Sequence, residues 1–151
     1  MTEPADAKRD EMFMRMALDE ARKAAEAGEV PVGAVVVTHG RVIGRGHNLT
    51  EALGDVTAHA EMQAITAAAQ TVGGKYLPDC TLYVTVEPCL MCGGAIGWSQ
   101  MGRIVYGASD PKRGCSVYTT RAYHPKSTVT PGVLADECSA LMKEFFASRR
   151  K

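Results

Sequence analysis

The chain has 151 residues, of which 46% are hydrophobic and 23% charged, a composition typical of one globular domain, here expected to span residues 1–151. No apolar run approaches the roughly 18 residues that a membrane-spanning helix needs, and the polar, acidic first residues are not expected to form a secretory signal. The formal net charge of zero argues against a dedicated nucleic-acid binder, but residues 1–100 carry 8 Lys/Arg and 13 Asp/Glu, whereas residues 101–151 carry 9 and 4. The basic C-terminal third could meet phosphates, although a solvated helix face with a charged tail is the simpler interpretation.

Residues 1–8 are predicted to form a loose tail, followed by a helix from about Asp10 to Ala27 that Gly28 and Pro31 end. The apolar positions of this helix recur near helical spacing, at Met12, Met16, Ala17, Ala21, Ala24 and Ala25. The next two β-branched runs, residues 32–38 and 41–47, predict a hairpin around a His39-Gly40 turn. Residues 48–56 are predicted to form a polar loop.

A second helix is predicted from Ala58 to about Val72, with Thr57 as its N-cap and Gly73 as its end. This prediction places His59 in the first turn, where the helix dipole disfavours the imidazolium and keeps the ring able to bind metal. Residues 81–86 then alternate as a strand does.

Pro88 is predicted to begin a third helix, from Cys89 to about Gln100. Cys89 and Cys92 are three residues apart, so they share a helix face, and a helix N-terminus favours the thiolate. A short strand is predicted at residues 103–107, residues 108–131 carry no clear assignment, and an amphipathic helix is predicted from Val133 to about Arg149. The apolar side of this last helix is formed by Leu134, Cys138, Leu141, Met142 and Phe145. Alternating helices and strands indicate a three-layer α/β arrangement.

His59, Cys89 and Cys92 are of the ligand types that zinc prefers, and three protein ligands leave a fourth coordination position for water. Glu61 lies two residues beyond His59 and is free to move a proton. Each half of the pattern is weak alone, because Cys-x-x-Cys is also found in structural zinc sites and redox pairs. The two halves together predict a catalytic zinc. Five cysteines are an odd number, and the closest pair suits a metal better than a disulfide, so we expect a reducing cytoplasm.

The pattern His59-Ala-Glu61 with Pro88-Cys89-x-x-Cys92 resembles the signature of the zinc-dependent base deaminases. By this resemblance, the chain is identified as a member of the cytidine/deoxycytidylate deaminase superfamily. Flanking stretches resemble the bacterial tRNA-specific adenosine deaminases within it, namely residues 29–34, 46–48, 57–61, 81–85 and 134–138. The resemblance implies a three-layer α/β/α cytidine-deaminase-like fold with a five-stranded mixed sheet, one zinc per subunit, and a homodimer.

The resemblance also implies roles for individual residues. Glu61 is the implied general acid–base, Asn48 contacts the target base, Val30 and Pro31 help line the pocket, and the backbone amide of Ala60 bonds near the attacked carbon. The implied contacts with the anticodon loop come from the C-terminal helix, at Phe145, Phe146, Arg149 and Arg150. The stretch between residues 110 and 132 is shorter than in these enzymes, and Asp110 and His124 match at its two ends as candidate RNA contacts.

The function that the resemblance implies is deamination of the wobble adenosine to inosine in the anticodon loop of a tRNA. A deaminase of a free base or nucleotide, such as guanine, cytosine or cytidylate, would use the same zinc chemistry; the basic C-terminal third favours RNA. A non-catalytic, zinc-stabilised RNA-binding domain would need a fourth protein ligand. The candidates for that ligand, Cys80 and Cys115, lack the spacing of a motif and, like Cys138, are interpreted as packed thiols.

Overall fold

The computed structural model describes residues 4–149, which form one five-stranded sheet with helices on both faces. The strands are β1 (Gly33–Thr38), β2 (Arg41–His47), β3 (Thr81–Val86), β4 (Arg103–Ala108) and β5 (Thr128–Thr130). The helices are α1 (Pro4–Glu26), α2 (Thr50–Leu53), α3 (Ala60–Val72), α4 (Leu90–Trp98), α5 (Cys115–Tyr118) and α6 (Ala135–Ser148). None of the helices within residues 4–149 combines the length and the apolar character that crossing a membrane requires.

The sheet is mixed and has the strand order β2-β1-β3-β4-β5. β1 runs antiparallel to both of its neighbours, whereas β3, β4 and β5 are parallel to one another. Parallel neighbours need a crossover connection, and α4 supplies it between β3 and β4. Residues 87–89 therefore lie at the carboxyl end of a central strand, which is where open α/β sheets place their ligand sites.

Two apolar clusters sandwich the sheet, since successive strand residues point to opposite faces. Under α1 and α6 the cluster contains Phe13, Met14, Ala17, Leu18, Val35, Val37, Tyr83, Val105, Ala108 and Cys138. Under α3 and α4 it contains Ala34, Val36, Ala60, Ala64, Ala68, Leu77, Cys80, Leu82, Val84, Ile96, Met101 and Ile104. The predicted three-layer fold with a five-stranded mixed sheet is thus confirmed.

The helix α3 approaches the sheet along a seam of small residues. Its buried face is formed by alanines four residues apart, and it lies over Gly44 and Gly46 of β2. A Cβ atom on Gly44 would stand 2.3 Å from the carbonyl oxygen of Ala64, and one on Gly46 would stand 2.4 Å from that of Ala60. Because no side chain fits there, the seam fixes the distance between α3 and the sheet.

The first helix differs from its prediction at both its start and its buried face. The predicted loose tail is wrong from Pro4 onward, since α1 begins there, with Asp6 in the first turn to complement the helix dipole; residues 1–3 lie outside the described part. Met12 is 52% exposed, and Phe13 and Met14 are buried instead. Because residues 12–14 are all apolar, the sequence does not determine which of them face the sheet. In the structure the buried face contains residues 13 and 14 and continues through residues 17, 18 and 21.

The two motif helices begin later than predicted. Thr57 does not cap α3, because both its amide and its hydroxyl donate to the carboxylate of Asp55, at 2.8 and 2.7 Å. His59 is itself the N-cap, with extended backbone angles, and α3 starts at Ala60. Cys89 is likewise the N-cap of α4 rather than its first residue. Each motif therefore places one predicted ligand residue at the N-cap of a helix.

The segments that the sequence left as loops contain short elements. The predicted polar loop 48–56 includes α2, and the unassigned stretch 108–131 includes α5 and the edge strand β5. The last helix begins at Ala135 rather than at Val133, because Gly132 and Leu134 adopt positive φ angles of 85° and 54°. These turns bring the C-terminal helix back over β4.

Candidate active site

His59, Cys89 and Cys92 converge at the N-terminal ends of α3 and α4. Their ligand atoms all lie within 4.8 Å of one another. The Nδ1 atom of His59 stands 3.6 Å from Sγ of Cys89 and 3.4 Å from Sγ of Cys92. Residues 33 positions apart in the sequence thus present one nitrogen and two sulfurs to a common point.

The three groups share protons, and this sharing shifts their pKa values. The pKa of Cys89 is lowered to about 4, mainly by a hydrogen bond from the Cys92 thiol and, to a smaller extent, by a hydrogen bond from His59. The same bond to Cys89, together with burial, raises the pKa of Cys92, and the contact with Cys89 raises the pKa of His59. Cys89 is therefore the thiol that ionises first, and a thiolate is the form of cysteine that binds metal.

Glu61 lies beside this cluster on the first turn of α3 and is 4% exposed. Burial raises the pKa of its carboxyl group from 4.5 to about 7. A carboxyl with a pKa near neutrality can both accept and donate a proton at working pH, which is what general acid–base catalysis requires.

A cavity of about 550 Å³ opens onto the cluster. Its walls come from residues of five segments: Val30, Val32, Asn48, Thr50, Val56, His59, Ala60, Glu61, Val86, Glu87, Cys89, Met91, Asp110, Arg113 and Met142. Of the two residues predicted to line a pocket, Val30 does so, whereas Pro31 is buried next to it and is not part of the lining. The volume suits a ligand of the size of a nucleoside.

Asn48 lines the cavity with a polar group that has no protein partner. The residue is 7% exposed, and its Oδ1 atom is the one buried side-chain N or O atom within residues 4–149 that lacks a hydrogen bond. Such a group costs free energy unless a ligand or water satisfies it. Asn48 is therefore placed to accept a hydrogen bond from a bound molecule.

The candidate RNA-contacting residues do not all lie together. Asp110 lines the cavity, whereas His124 is half-buried outside it and accepts a hydrogen bond from the amide of Lys126. Phe145 is half-buried beneath the guanidinium of Arg149, 4.7 Å from the ring centroid, and Phe146 is 40% exposed. Arg150 lies outside the described residues.

Sequence reasoning missed Arg113, Met142 and Glu87 as parts of the cavity. Arg113 and Met142 come from the unassigned stretch and from the last helix, whose distances to the motifs only the fold reveals. Glu87 directly precedes the Pro-Cys pair, and this position was the one signal that could have drawn attention to it.

The donor set fits zinc. One nitrogen and two sulfurs are the ligands of the catalytic zinc type with an open position. Among residues 4–149, no fourth His, Cys, Asp or Glu joins this group. Cys80, Cys115 and Cys138 are buried and free, but stand outside the cluster, and a structural site closed by four protein ligands is therefore not formed.

Comparison with known proteins places this site in a family. Residues 7–108 match the cytidine and deoxycytidylate deaminase zinc-binding region. The chain belongs to the cytidine and deoxycytidylate deaminase family. Both motifs of this deaminase lie inside the matched range, so the family's zinc-binding region contains the observed His/Cys/Cys cluster.

The relatives of this deaminase include enzymes that act on tRNA. The chain is 44% identical over 147 residues to the tRNA-specific adenosine deaminase of Bacillus subtilis (strain 168), covering 94% of this chain and 91% of that protein. A solved structure from work on A-to-I editing by tRNA:A34 deaminases at the wobble position of transfer RNA superposes with a TM-score of 0.80 at 43% identity, covering 86% of this chain and 98% of the other. A guanine deaminase from Nitrosomonas europaea superposes with a TM-score of 0.78 at 26% identity, covering 97% and 86%.

Proposed function

We propose that this enzyme deaminates the wobble adenosine of a tRNA anticodon loop to inosine by zinc-dependent hydrolysis. One observation carries the proposal: His59, Cys89, Glu61 and Asn48, with its unpartnered oxygen, all line one cavity, and Cys92 completes the ligand cluster with His59 and Cys89. The tRNA substrate is supported by relatives that are 44% identical over nearly the whole chain.

His59, Cys89 and Cys92 would hold one zinc ion per subunit, with a water molecule as the fourth ligand. When bound, zinc would act as a Lewis acid that lowers the pKa of a coordinated water to about 7 and so would supply a nucleophile near neutral pH. The lowered pKa of Cys89 favours the thiolate that such a site needs.

Glu61 moves the protons of the reaction. In its ionised form it accepts one proton from the attacking water and donates that proton to N1 of adenine. It then accepts the remaining proton of the hydroxyl group added at the carbon and donates it to the departing amino group. In the protein without zinc, burial raises the pKa of Glu61 to about 7, which makes the neutral, proton-donating form accessible near neutral pH. A bound cation would favour the ionised form, which accepts the proton of the water. The carboxyl lies in the cavity wall, within the first turn of α3, so no rearrangement of the helix is needed.

Two further groups orient the base. Asn48 accepts or donates a hydrogen bond at the base edge through an amide that is otherwise incompletely paired. Ala60 is the first residue of α3, so its amide has no acceptor within the helix and is free to bond near the attacked carbon. Val30 supplies an apolar wall beside the flipped-out base.

The surface around the cavity suits an anticodon stem-loop. Arg113 lies at the cavity wall and is exposed, and the C-terminal helix presents Phe146 for stacking on a base. Further polar contacts on the proposed surface come from Asp110, from Arg149 and from the other basic residues of the C-terminal third. His124 and Arg150 remain candidate contacts on the evidence of the resemblance alone.

We further propose a homodimer. The helix α4, whose N-cap is Cys89, leaves Leu90, Met91 and Trp98 uncovered, and Trp98 is 84% exposed. An uncovered apolar helix face of this kind is typical of a protein interface. The cytoplasmic location stays a prediction that rests on the cysteine content.

The test compares substrates with purified, zinc-loaded protein. It offers an anticodon stem-loop with a wobble adenosine and, separately, free adenosine, guanine, cytidine and deoxycytidylate. We expect inosine in the stem-loop and little change in the small molecules. The structural similarity to a guanine deaminase makes guanine turnover the main competing result. Guanine turnover with an untouched stem-loop would overturn the RNA assignment and keep the zinc chemistry.

A further inference from the structure

A second buried carboxylate lies at the cavity, and the proposed chemistry does not use it. Glu87 is 6% exposed and lines the cavity two residues before Cys89. Its Oε1 atom accepts a hydrogen bond from the amide of Asp110 at 3.2 Å. Its Oε2 atom accepts two from Ser116, from the amide at 3.1 Å and from the hydroxyl at 2.5 Å. All of these donors belong to one segment, residues 109–116.

This segment is bound to the metal-ligand stretch at its backbone as well. The amide of Cys115 donates to the carbonyl of Pro88 at 2.8 Å, and directly before the segment the carbonyl of Ala108 accepts from the amide of Glu87 at 2.8 Å. Gly114 pairs with Cys89 in an isolated bridge. A Cβ atom on Gly114 would stand 2.4 Å from Oε1 of Glu87, so the carboxylate and the segment are in close contact.

Residues 110–114 of the segment form a turn with hydrogen bonds of its own. The carboxylate of Asp110 accepts from the amides of Lys112 and Arg113 at 3.0 and 2.9 Å, and its carbonyl accepts from Gly114 at 3.0 Å. The turn is therefore a compact unit, and the hydrogen bond from the amide of Asp110 to Glu87 fixes the position of that unit relative to the metal-ligand stretch. Its side chains at the cavity are Asp110 and Arg113.

We propose that Glu87 is a positioning residue: its carboxylate holds residues 109–116 against the metal-ligand stretch and so sets how tightly the enzyme binds the nucleotides beside the target base. The proposal rests on the proposed RNA substrate, because Asp110 and Arg113 stand at the wall of the cavity rather than at the ligand cluster. Glu87 acts through these two residues and not on the reacting atoms.

Glutamine at this position separates the two contacts of the carboxylate, the one with Asp110 and the one with Ser116. Glu87→Gln keeps the shape of the side chain but leaves one oxygen and one NH₂ group. The oxygen can still accept the two bonds from Ser116, whereas the NH₂ group would then face the amide of Asp110 as donor against donor. The turn therefore loses its side-chain link to the ligand stretch at Asp110, while the backbone contacts of Gly114 and Cys115 with Cys89 and Pro88 remain.

The first measurement is steady-state kinetics of Glu87→Gln on the anticodon stem-loop, with zinc content determined on the same samples. We expect KM to rise about tenfold, the factor that 1.4 kcal/mol represents, with kcat within about twofold of the parent and full zinc content, since binding but not chemistry is affected. Ser116→Ala removes one of the two bonds at Oε2 and should raise KM less. A fall in kcat at unchanged KM, a loss of zinc, or unchanged kinetics would each overturn the proposal.

The second measurement does not depend on activity. Lys112 and Arg113 are exposed trypsin sites inside the segment, so its release should increase the rate of cleavage after these residues. We expect cleavage several-fold faster in Glu87→Gln than in the parent protein under native conditions. If the parent fails to deaminate the stem-loop, the proposed function falls, and the cleavage rate still decides whether Glu87 holds the segment.

Asp10→Asn is the matched control. Asp10 is also a buried carboxylate with several partners, but it packs between α1 and β4, away from the cavity. Its loss should lower global stability without changing KM or the rate of cleavage after Lys112 and Arg113. Equal changes in both variants would mean that general destabilisation explains the effect, and would refute a specific role for Glu87.

Discussion

Replacing Glu61 by glutamine should lower turnover and raise stability in the same protein. Glutamine has nearly the same shape as glutamate, so the packing of a side chain that is 4% exposed is retained. The amide cannot shuttle a proton, and we expect kcat to fall by at least the ~10²–10⁴ that a general acid–base group contributes. Zinc content should be unchanged, because the ligand cluster contains His59, Cys89 and Cys92 but not Glu61.

The stability change follows from the pKa of the same carboxyl group. Burial raises that pKa from 4.5 to about 7, and a difference of about 2.5 pH units corresponds to about 3 kcal/mol. Since the folded-state pKa is the higher one, folding favours the protonated form: ionisation of Glu61 costs nothing below pH 4.5, and the cost reaches its full size above pH 7. Glutamine is never ionised, so the variant avoids this cost.

Urea denaturation of the zinc-free parent and of Glu61→Gln, from pH 5 to pH 8.5, measures the difference. Zinc is removed because a bound cation would itself favour the carboxylate. We expect the advantage of the variant to grow with pH and to reach about 3 kcal/mol at pH 8.5. A difference that does not vary with pH would show that Glu61 is not held in an environment that favours its neutral form, and the acid–base role derived from that pKa would fall with it.

Three other substitutions test the ligands and the fold. Cys89→Ala should lose bound zinc together with activity, and a variant with full metal content would contradict the ligand assignment. Asp10→Asn should cost roughly 1.5–3 kcal/mol, since it weakens charge-assisted hydrogen bonds with Arg103, whose side chain is 28% exposed. Burial alone would raise the pKa of Asp10, but the hydrogen bonds from Arg103 and Tyr83 outweigh burial, and the pKa of Asp10 is lowered overall. The parent, but not the variant, should therefore lose stability as pH falls through that lowered pKa. Parallel profiles of stability against pH would disprove the pairing. Gly33→Ala should destabilise by at least about 1–3 kcal/mol, because the new Cβ would stand 2.0 Å from the carbonyl oxygen of Ala17; an unchanged thermal midpoint would contradict that packing.

The convergence of His59, Cys89 and Cys92 was predictable because its information is local. His59, Cys89 and Cys92 are recognisable by type and spacing, and the helices that present them carry strong start signals. What the sequence did not reveal is that His59 and Cys89 are N-caps, since the bond from Thr57 to Asp55 competes with capping. Whether Thr57 caps the helix or bonds to Asp55 depends on the backbone geometry of the loop, which the spacing of residues in the sequence does not determine.

The carboxylates that support the cavity were not predictable. Glu29 accepts hydrogen bonds from the amides of Glu51 and Ala52, and Glu87 accepts them from Asp110 and Ser116. In both cases the partners are backbone amides more than twenty residues away, and an amide carries no sequence signature. Such residues become visible only when the loops are folded against them.

The seam between α3 and β2 has a consequence for how this scaffold can change over evolution. Gly44 and Gly46 leave no room for even one methyl group beneath the helix that begins next to His59. Variation there would shift the predicted metal ligand His59, whereas the cavity wall at residues 109–116 is a surface turn held by a few hydrogen bonds. We therefore expect substrate preference to diverge through the length and composition of that turn, while the seam stays nearly invariant among functional descendants.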